Sequence, residues 1–425
     1  MSDEVKERTS PVDFTVAQPI IITERPVLQH IPPLKNDDHW WEDQEAMNAV
    51  REKLKLHAEP EMNHMTTIIL PSEEIVPVPE NLRNRIQKHF ITVDCITDRL
   101  NLHNQPSIEP VRVYYTEYIH SQRDEMTDKV TENAVVFAHG WVCGQKDVVN
   151  SSGQVEHLNY HDKVMAHLDP EIRTYAVEPP GYASDQEDGL ESIGADQLDA
   201  LDMHNYPQTI QTAVANIAED MFKRGKKGKI AVVGHSMGGW ASSMITAEFV
   251  SRMKTAYGVD VVVELTAPAF QMHKITSVGK LTPAINPLLH RIRNTLEHLP
   301  VRRVTQKTSE KITKRIIQHL GPLLLLKPDD IFMQQARRTD IRTTIRNLQD
   351  LWGNHYSEAE VRQITGQDFI RRVWLARKDT LVDNKNLNND PKAVEVENEG
   401  HLLERNNAFA HLLARHLEKD VFQVA

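Results

Sequence analysis

The chain has 425 residues, 40% apolar and 26% charged, which suits one sizeable core enlarged by an insertion or extension rather than several domains. The net charge of −11 repels nucleic acid and argues against that class of partner. No apolar run approaches the ~18–20 residues that cross a bilayer, and the N-terminus lacks the apolar stretch of a secretory signal, so a soluble, cytoplasmic protein is expected.

Residues 1–87 read as an N-terminal extension, partly irregular, with no Gly, several Pro and one amphipathic helix candidate from His39 to about His57. From about residue 88 short β-branched and aromatic runs alternate with helical stretches, as in a mostly parallel sheet flanked by helices. In chain order the sequence predicts strands at His89–Asp94, Val111–Tyr118 and Ala134–Ala138, a helix at Val155–Leu168 and a strand at Arg173–Glu178. A helix at Tyr206–Arg224 should stop at the turn Gly225-Lys-Lys-Gly228. Next come a strand at Lys229–Val233, one long helix at Met237–Ala256 and a strand at Asp260–Leu265. Strand signals then vanish over residues 269–366, where helix punctuation takes over. Thr308-Ser309 and Pro328-Asp329-Asp330 can open helices, and Ser357-Glu358-Ala359-Glu360 is a capping box with Gly366 as terminator. Strands at Val373–Arg377 and Ala393–Val396 and a closing helix at Leu402–Leu417 finish the chain. The expected organisation is therefore an extension (1–87), a first core part (88–268), a helical insertion (269–366) and a last core part (367–425).

Charge is distributed unevenly. Between Arg291 and Arg346 there are thirteen Lys or Arg against five Asp or Glu, so the rest of the chain is far more acidic than the average. The two cysteines, Cys95 and Cys143, have no metal-like spacing and read as reduced thiols.

One motif carries chemistry. Gly234-His235-Ser236-Met237-Gly238 sits where the run Ile-Ala-Val-Val meets a helical stretch. A serine on so tight a strand-to-helix turn needs small residues two positions away on either side, and the helix then aims free N–H groups at the site. No phosphate loop, dinucleotide fingerprint or His/Cys ligand cluster occurs, so neither cofactor nor metal is implied.

From this motif the chain resembles the α/β-hydrolase family, and further matches follow in order. Phe137-Ala138-His139-Gly140-Trp141 looks like that family's His-Gly loop, and Glu178-Pro-Pro-Gly181-Tyr-Ala-Ser184 resembles the turn after its fourth strand. In that turn Glu178 replaces the usual Asp and Ala183 a Gly, which marks a divergent member. The resemblance covers roughly residues 88–268 and 367–425. It implies an α/β-hydrolase fold in which 269–366 hangs as a lid, and backbone N–H groups of Trp141 and Met237 that form an oxyanion hole. A dehalogenase or epoxide hydrolase of this fold would resemble the family with Asp in place of Ser236.

A serine hydroxyl needs a base, and the base needs an acid to orient it. The family order is Ser, acid, His. Gly400-His401-Leu-Leu-Glu404 resembles the family's histidine segment, which makes His401 the base. Asp379 lies just past the Val373–Arg377 strand, where the family places its acid, and Asp383 is the runner-up. Glu264 lies inside the preceding strand and suits the role poorly. His139 and His235 read as structural, and His411 and His416 as surface or packing residues. The reading is a serine hydrolase, carboxylesterase- or lipase-like, acting on a small-molecule acyl substrate through the triad Ser236, His401 and Asp379. The alternatives are a non-catalytic binding protein on a hydrolase fold and an acyltransferase or thioesterase using the same triad.

Overall fold

The computed structural model describes residues 66–70, 76, 79–80, 83, 85–100, 106–121, 130–141, 145–149, 155–179, 203–272, 347, 350–351, 355–379, 381–387 and 390–424. The candidate helix at His39–His57, Cys143, the Gly181–Ser184 turn, the helix signals between Thr308 and Asp330 and the basic stretch from Arg291 to Arg346 lie outside them.

The strands, in chain order, begin with β1 (Thr66–Ile68), β2 (Arg85–Leu100), β3 (Pro106–Ile119) and β4 (Ala134–Ala138). β5 (Gln145–Val149) and β6 (Val155–Asn159) precede helix α1 (Asp162–His167) and strand β7 (Arg173–Val177). Helix α2 (Tyr206–Lys223) leads to β8 (Gly228–His235), α3 (Met237–Ser243), α4 (Ala247–Tyr257) and β9 (Val259–Thr266). After α5 (Glu358–Thr365) come β10 (Ile370–Ala376), β11 (Ala393–Val396) and α6 (Asn407–His416).

Among the described residues nine strands form one sheet in the order β1-β11-β10-β9-β8-β4-β7-β3-β2. Every pairing from β1 to β7 is parallel, and only β3 and β2 run antiparallel to their neighbours. β4 is buried along its whole length, as a central strand covered on both faces must be. Side chains alternate between the faces. Val135, Phe137, Ala231 and Val233 join Val164, Met165, Phe409 and Leu413 in one core cluster. Val136, Ala138, Ile230 and Val232 join Ile210, Val214, Trp240 and Phe249 in the other. The period of two thus serves two helical layers, α1 and α6 on one side and α2, α3 and α4 on the other.

The extension segment contributes to this body. Thr66–Ile68 pairs with Val394–Val396 at the sheet edge, and the Val76 carbonyl accepts from Asn407. The buried Arg83 guanidinium donates to the carbonyls of Met165, Leu168, Asp169 and Ile172. Those carbonyls lie in the last turn of α1 and the loop just after it, where a helix leaves its final carbonyls short of partners.

Three helix readings need correction. Val155–Leu168 is not one helix: Val155–Asn159 is a strand paired antiparallel with Gln145–Val149, and only Asp162–His167 is helical. Met237–Ala256 is broken after Ser243, because Thr246 turns extended and its side chain accepts from Phe249 N, starting α4 afresh. The closing helix is also interrupted. Leu403–Arg405 is a single 3₁₀ turn, Asn406 caps α6, and Leu417–Phe422 widens into a π-helical turn. By contrast the capping box at Ser357 and Glu360 is present, with both reciprocal bonds. No helix among the described residues is long and apolar enough to cross a membrane.

Candidate active site

Ser236 stands between β8 and α3 with φ 53° and ψ −116°, a backbone conformation that costs a non-glycine residue about 1–3 kcal/mol. Neighbouring backbone holds it there. Its N–H donates to Thr266 O at 2.9 Å, and its carbonyl accepts from Trp240 N at 2.9 Å and Ala269 N at 3.0 Å. The tight turn also explains the glycine spacing. A Cβ on Gly238 would lie 2.2 Å from the Ala138 carbonyl oxygen, so only glycine lets α3 pass the end of β4. Gly140 meets the same turn from the other side: its Cβ would stand 3.1 Å from Ser236 Cβ and 2.9 Å from His235 Cδ2. The His139-Gly140-Trp141 loop therefore runs directly against the serine.

His401 and Asp379 complete an unbroken chain. His401 Nε2 is 2.8 Å from Ser236 Oγ, and His401 Nδ1 is 2.8 Å from Asp379 Oδ2. All three residues are buried. Asp379 lies three residues beyond β10, where Leu381 N and Val382 N donate to its other oxygen at 2.8 and 3.0 Å. Burial would raise the carboxyl, but the charge and hydrogen bond of His401 and those two amides outweigh it and hold the acid below its usual range. With Asp379 accepting at Nδ1, the imidazole presents Nε2 to the serine hydroxyl.

The competing acids are turned elsewhere. Asp383 accepts from Lys385 N at 3.1 Å, while Glu264 meets Trp374 Nε1 at 3.2 Å and His416 Nε2 at 3.0 Å. His416 is buried and joins Glu264 to Asp420, whereas His411 is exposed in the middle of α6. His401 precedes the closing helix by several residues and is carried by the loop between β11 and the 3₁₀ turn.

Residues 135–412 match the profile of the alpha/beta hydrolase family. The chain belongs to the α/β-hydrolase family. It is similar in fold to the peroxisomal alpha-beta-hydrolase Lpx1 of Saccharomyces cerevisiae, at 13% identity and a TM-score of 0.42, over 81% of this chain and 91% of that one. It is also similar to a putative aryl esterase of Burkholderia cenocepacia (13% identity, TM-score 0.40, 78% and 98% covered). A haloalkane dehalogenase, DatA, of Agrobacterium tumefaciens matches at 11% identity and a TM-score of 0.39, with 80% and 99% covered. No curated protein matches the chain in sequence.

This α/β-hydrolase also has a polar cluster beneath the serine that sequence reasoning missed. Glu404, wholly buried, accepts from the Thr266 hydroxyl and, at 3.2 Å, from the Tyr160 hydroxyl. His235 Nδ1 lies 3.0 Å from the same carboxylate. Burial would raise this carboxyl, yet His235, His161 and the Thr266 hydroxyl bring it down to about 2. His139 and His161 stack 5.0 Å apart, and burial holds His139 well below the usual histidine range and His161 down to about 3. The only sequence signal for Glu404 was its place three residues after His401.

Proposed function

We propose that the protein is a serine hydrolase that cleaves a carboxylic ester or related small acyl substrate through an acyl-enzyme on Ser236. The observation that carries this reading is the continuous hydrogen-bonded chain from Ser236 Oγ through both nitrogens of His401 to Asp379. Ser236 Oγ attacks the acyl carbonyl while its proton passes to His401 Nε2. Asp379 stabilises the imidazolium and fixes the tautomer. His401 then gives the proton to the leaving alkoxide, and water, deprotonated by the same imidazole, releases the acid. The N–H groups of Trp141 and Met237 bind the developing oxyanion, each worth about 10²–10³ in kcat for such donors. The close packing of Gly140 against Ser236 supports the first donor, and the position of Met237 as the first residue of α3 supports the second.

Residues 269–366 are proposed as a lid that shapes the acyl pocket. Support comes from the two ends of the segment, which meet beside α3. Gln271 bridges His355, and Trp240 Nε1 donates to Tyr356 Oη at 2.9 Å, four residues after the proposed nucleophile. An insertion that leaves and returns there is well placed to exclude water.

Labelling with a fluorophosphonate, followed by hydrolysis of p-nitrophenyl esters of increasing chain length, tests the function. The full chain should label once and Ser236→Ala should not label, with kcat lowered on the order of 10³-fold or more. A wild-type protein that neither labels nor turns over any ester would overturn the reading.

A further inference from the structure

Glu404 is not required by the proposed chemistry, yet it is one of the most deeply enclosed carboxylates beside the site. Its neighbours come from three separate parts of the chain. Thr266 ends β9, His235 ends β8 immediately before Ser236, and Tyr160 opens the turn before α1. No Lys or Arg pairs with it among the described residues; Arg405, next to it in sequence, turns to Asp162 at 2.6 Å.

These neighbours are the ones that hold the serine. The Thr266 carbonyl accepts from Ser236 N at 2.9 Å, so the residue whose hydroxyl binds Glu404 also anchors the strained turn. The His235 ring lies 4.7 Å from the Tyr160 ring on one side and 5.0 Å from the His401 ring on the other. Glu404 itself belongs to the 3₁₀ turn that follows His401, and Asn406 beyond it donates to Glu399 at 2.8 Å. One carboxylate thus spans the segments that carry the two halves of the Ser236–His401 pair.

We propose that Glu404 is a positioning residue: its carboxylate clamps the turn bearing Ser236, through Thr266 and His235, to the turn bearing His401. The inference rests on the reading of Ser236 as nucleophile and His401 as base. Two consequences follow. The 2.8 Å Ser236–His401 contact is held by the clamp as well as by Asp379. The His235 ring, with Nδ1 3.0 Å from the carboxylate and its centroid 5.0 Å from that of His401, is fixed in the same way. The groups facing His401 are Ser236, Asp379 and His235, and those facing Glu404 are His235, Thr266, Tyr160 and His161.

The test compares full-length wild type, Ser236→Ala, Glu404→Gln and Thr266→Val. Fluorophosphonate labelling of wild type but not Ser236→Ala checks the underlying reading first. If wild type does not label, that reading fails and the clamp with it. If it labels, Glu404→Gln is assayed with p-nitrophenyl acetate at neutral pH. Expected are a fall in kcat of about 10–100-fold, as for other residues that orient reacting groups, with KM changed less than about 2-fold. Wild-type kcat in a folded Glu404→Gln protein would overturn the clamp alone. Should that variant not fold, Thr266→Val decides. Lowered kcat at unchanged KM and Tm supports the clamp, and wild-type kcat overturns it.

Discussion

Nε2 of His401 stands 2.8 Å from Oγ of Ser236, although 165 positions separate the two residues. Two loops at the same end of the sheet make that contact, one after β8 and one after β11, and Asp379 after β10 joins them. In parallel strands the chain must return through a crossover each time, so successive strand ends gather on one edge. The chemistry proposed above depends on that gathering.

The two neighbouring aspartates should behave very differently. Asp379→Asn removes the charge that faces His401 Nδ1 and presents the wrong tautomer, so kcat should fall on the order of 10³–10⁴-fold. Asp383→Asn should stay within about 3-fold, since Asp383 bonds Lys385 N in a loop turn. Steady-state kinetics on a p-nitrophenyl ester separate the two, and a crippled Asp383 variant reverses the assignment.

Gly140 is constrained by approach rather than by its own dihedral angles. A methyl group there would press on Ser236 Cβ at 3.1 Å and on His235 Cδ2 at 2.9 Å. Gly140→Ala should therefore displace the adjoining Trp141 N–H from the serine and lower kcat by about 10–100-fold, with little change in KM. Thermal unfolding should show a folded protein. Unchanged kcat would remove Trp141 from the proposed oxyanion hole.

A third expectation concerns pH and stability. Burial alone would lower the pKa of His416, but its bonds to Glu264 and Asp420 outweigh that and raise it. A raised folded value means that this contribution is fully present below the ordinary 6.5 and is lost as pH rises through the folded value. His416→Gln should thus lower Tm most at about pH 6, and the gap to wild type should narrow by about pH 9. A gap that is constant across this range would show that the ion pair adds no pH-dependent stability.

The proposed lid carries the basic stretch around Arg302, Arg303, Arg337 and Arg338. Reversing those four charges should raise KM for anionic esters more than for neutral ones. Added salt should shrink the difference, because exposed charges are screened within about 8–10 Å at physiological ionic strength. Equal effects on both substrate types would leave the basic stretch as ordinary surface.

Much of the scaffold was legible because it is locally encoded. Ala134–Ala138 and Ala393–Val396 are strands with the bounds read from the sequence, and α2 stops one residue before the expected end, at the turn where Gly225 takes φ 69°. The misread segments share a cause. Val155–Asn159 becomes a strand only through Gln145–Val149, a pairing that local periodicity does not report. The break before α4 depends on the Thr246 side chain turning back to Phe249 N, a choice that a run of helix-compatible residues conceals.

At the site the division is sharper. The sequence by itself determined the elbow, since the crowding around Ser236 admits only small neighbours and leaves a recognisable spacing of glycines. It also marked His401 and a choice between Asp379 and Asp383. Only the tertiary structure decided which aspartate reaches the imidazole, because a four-residue difference in a loop changes which carboxylate points at Nδ1. Only it brought Glu404, Thr266, Tyr160 and His235 together, since their contacts join two strand ends and two turns that lie apart in the chain. A buried carboxylate is kept ionised by the donors around it, and those donors are assembled by packing rather than by neighbours in sequence.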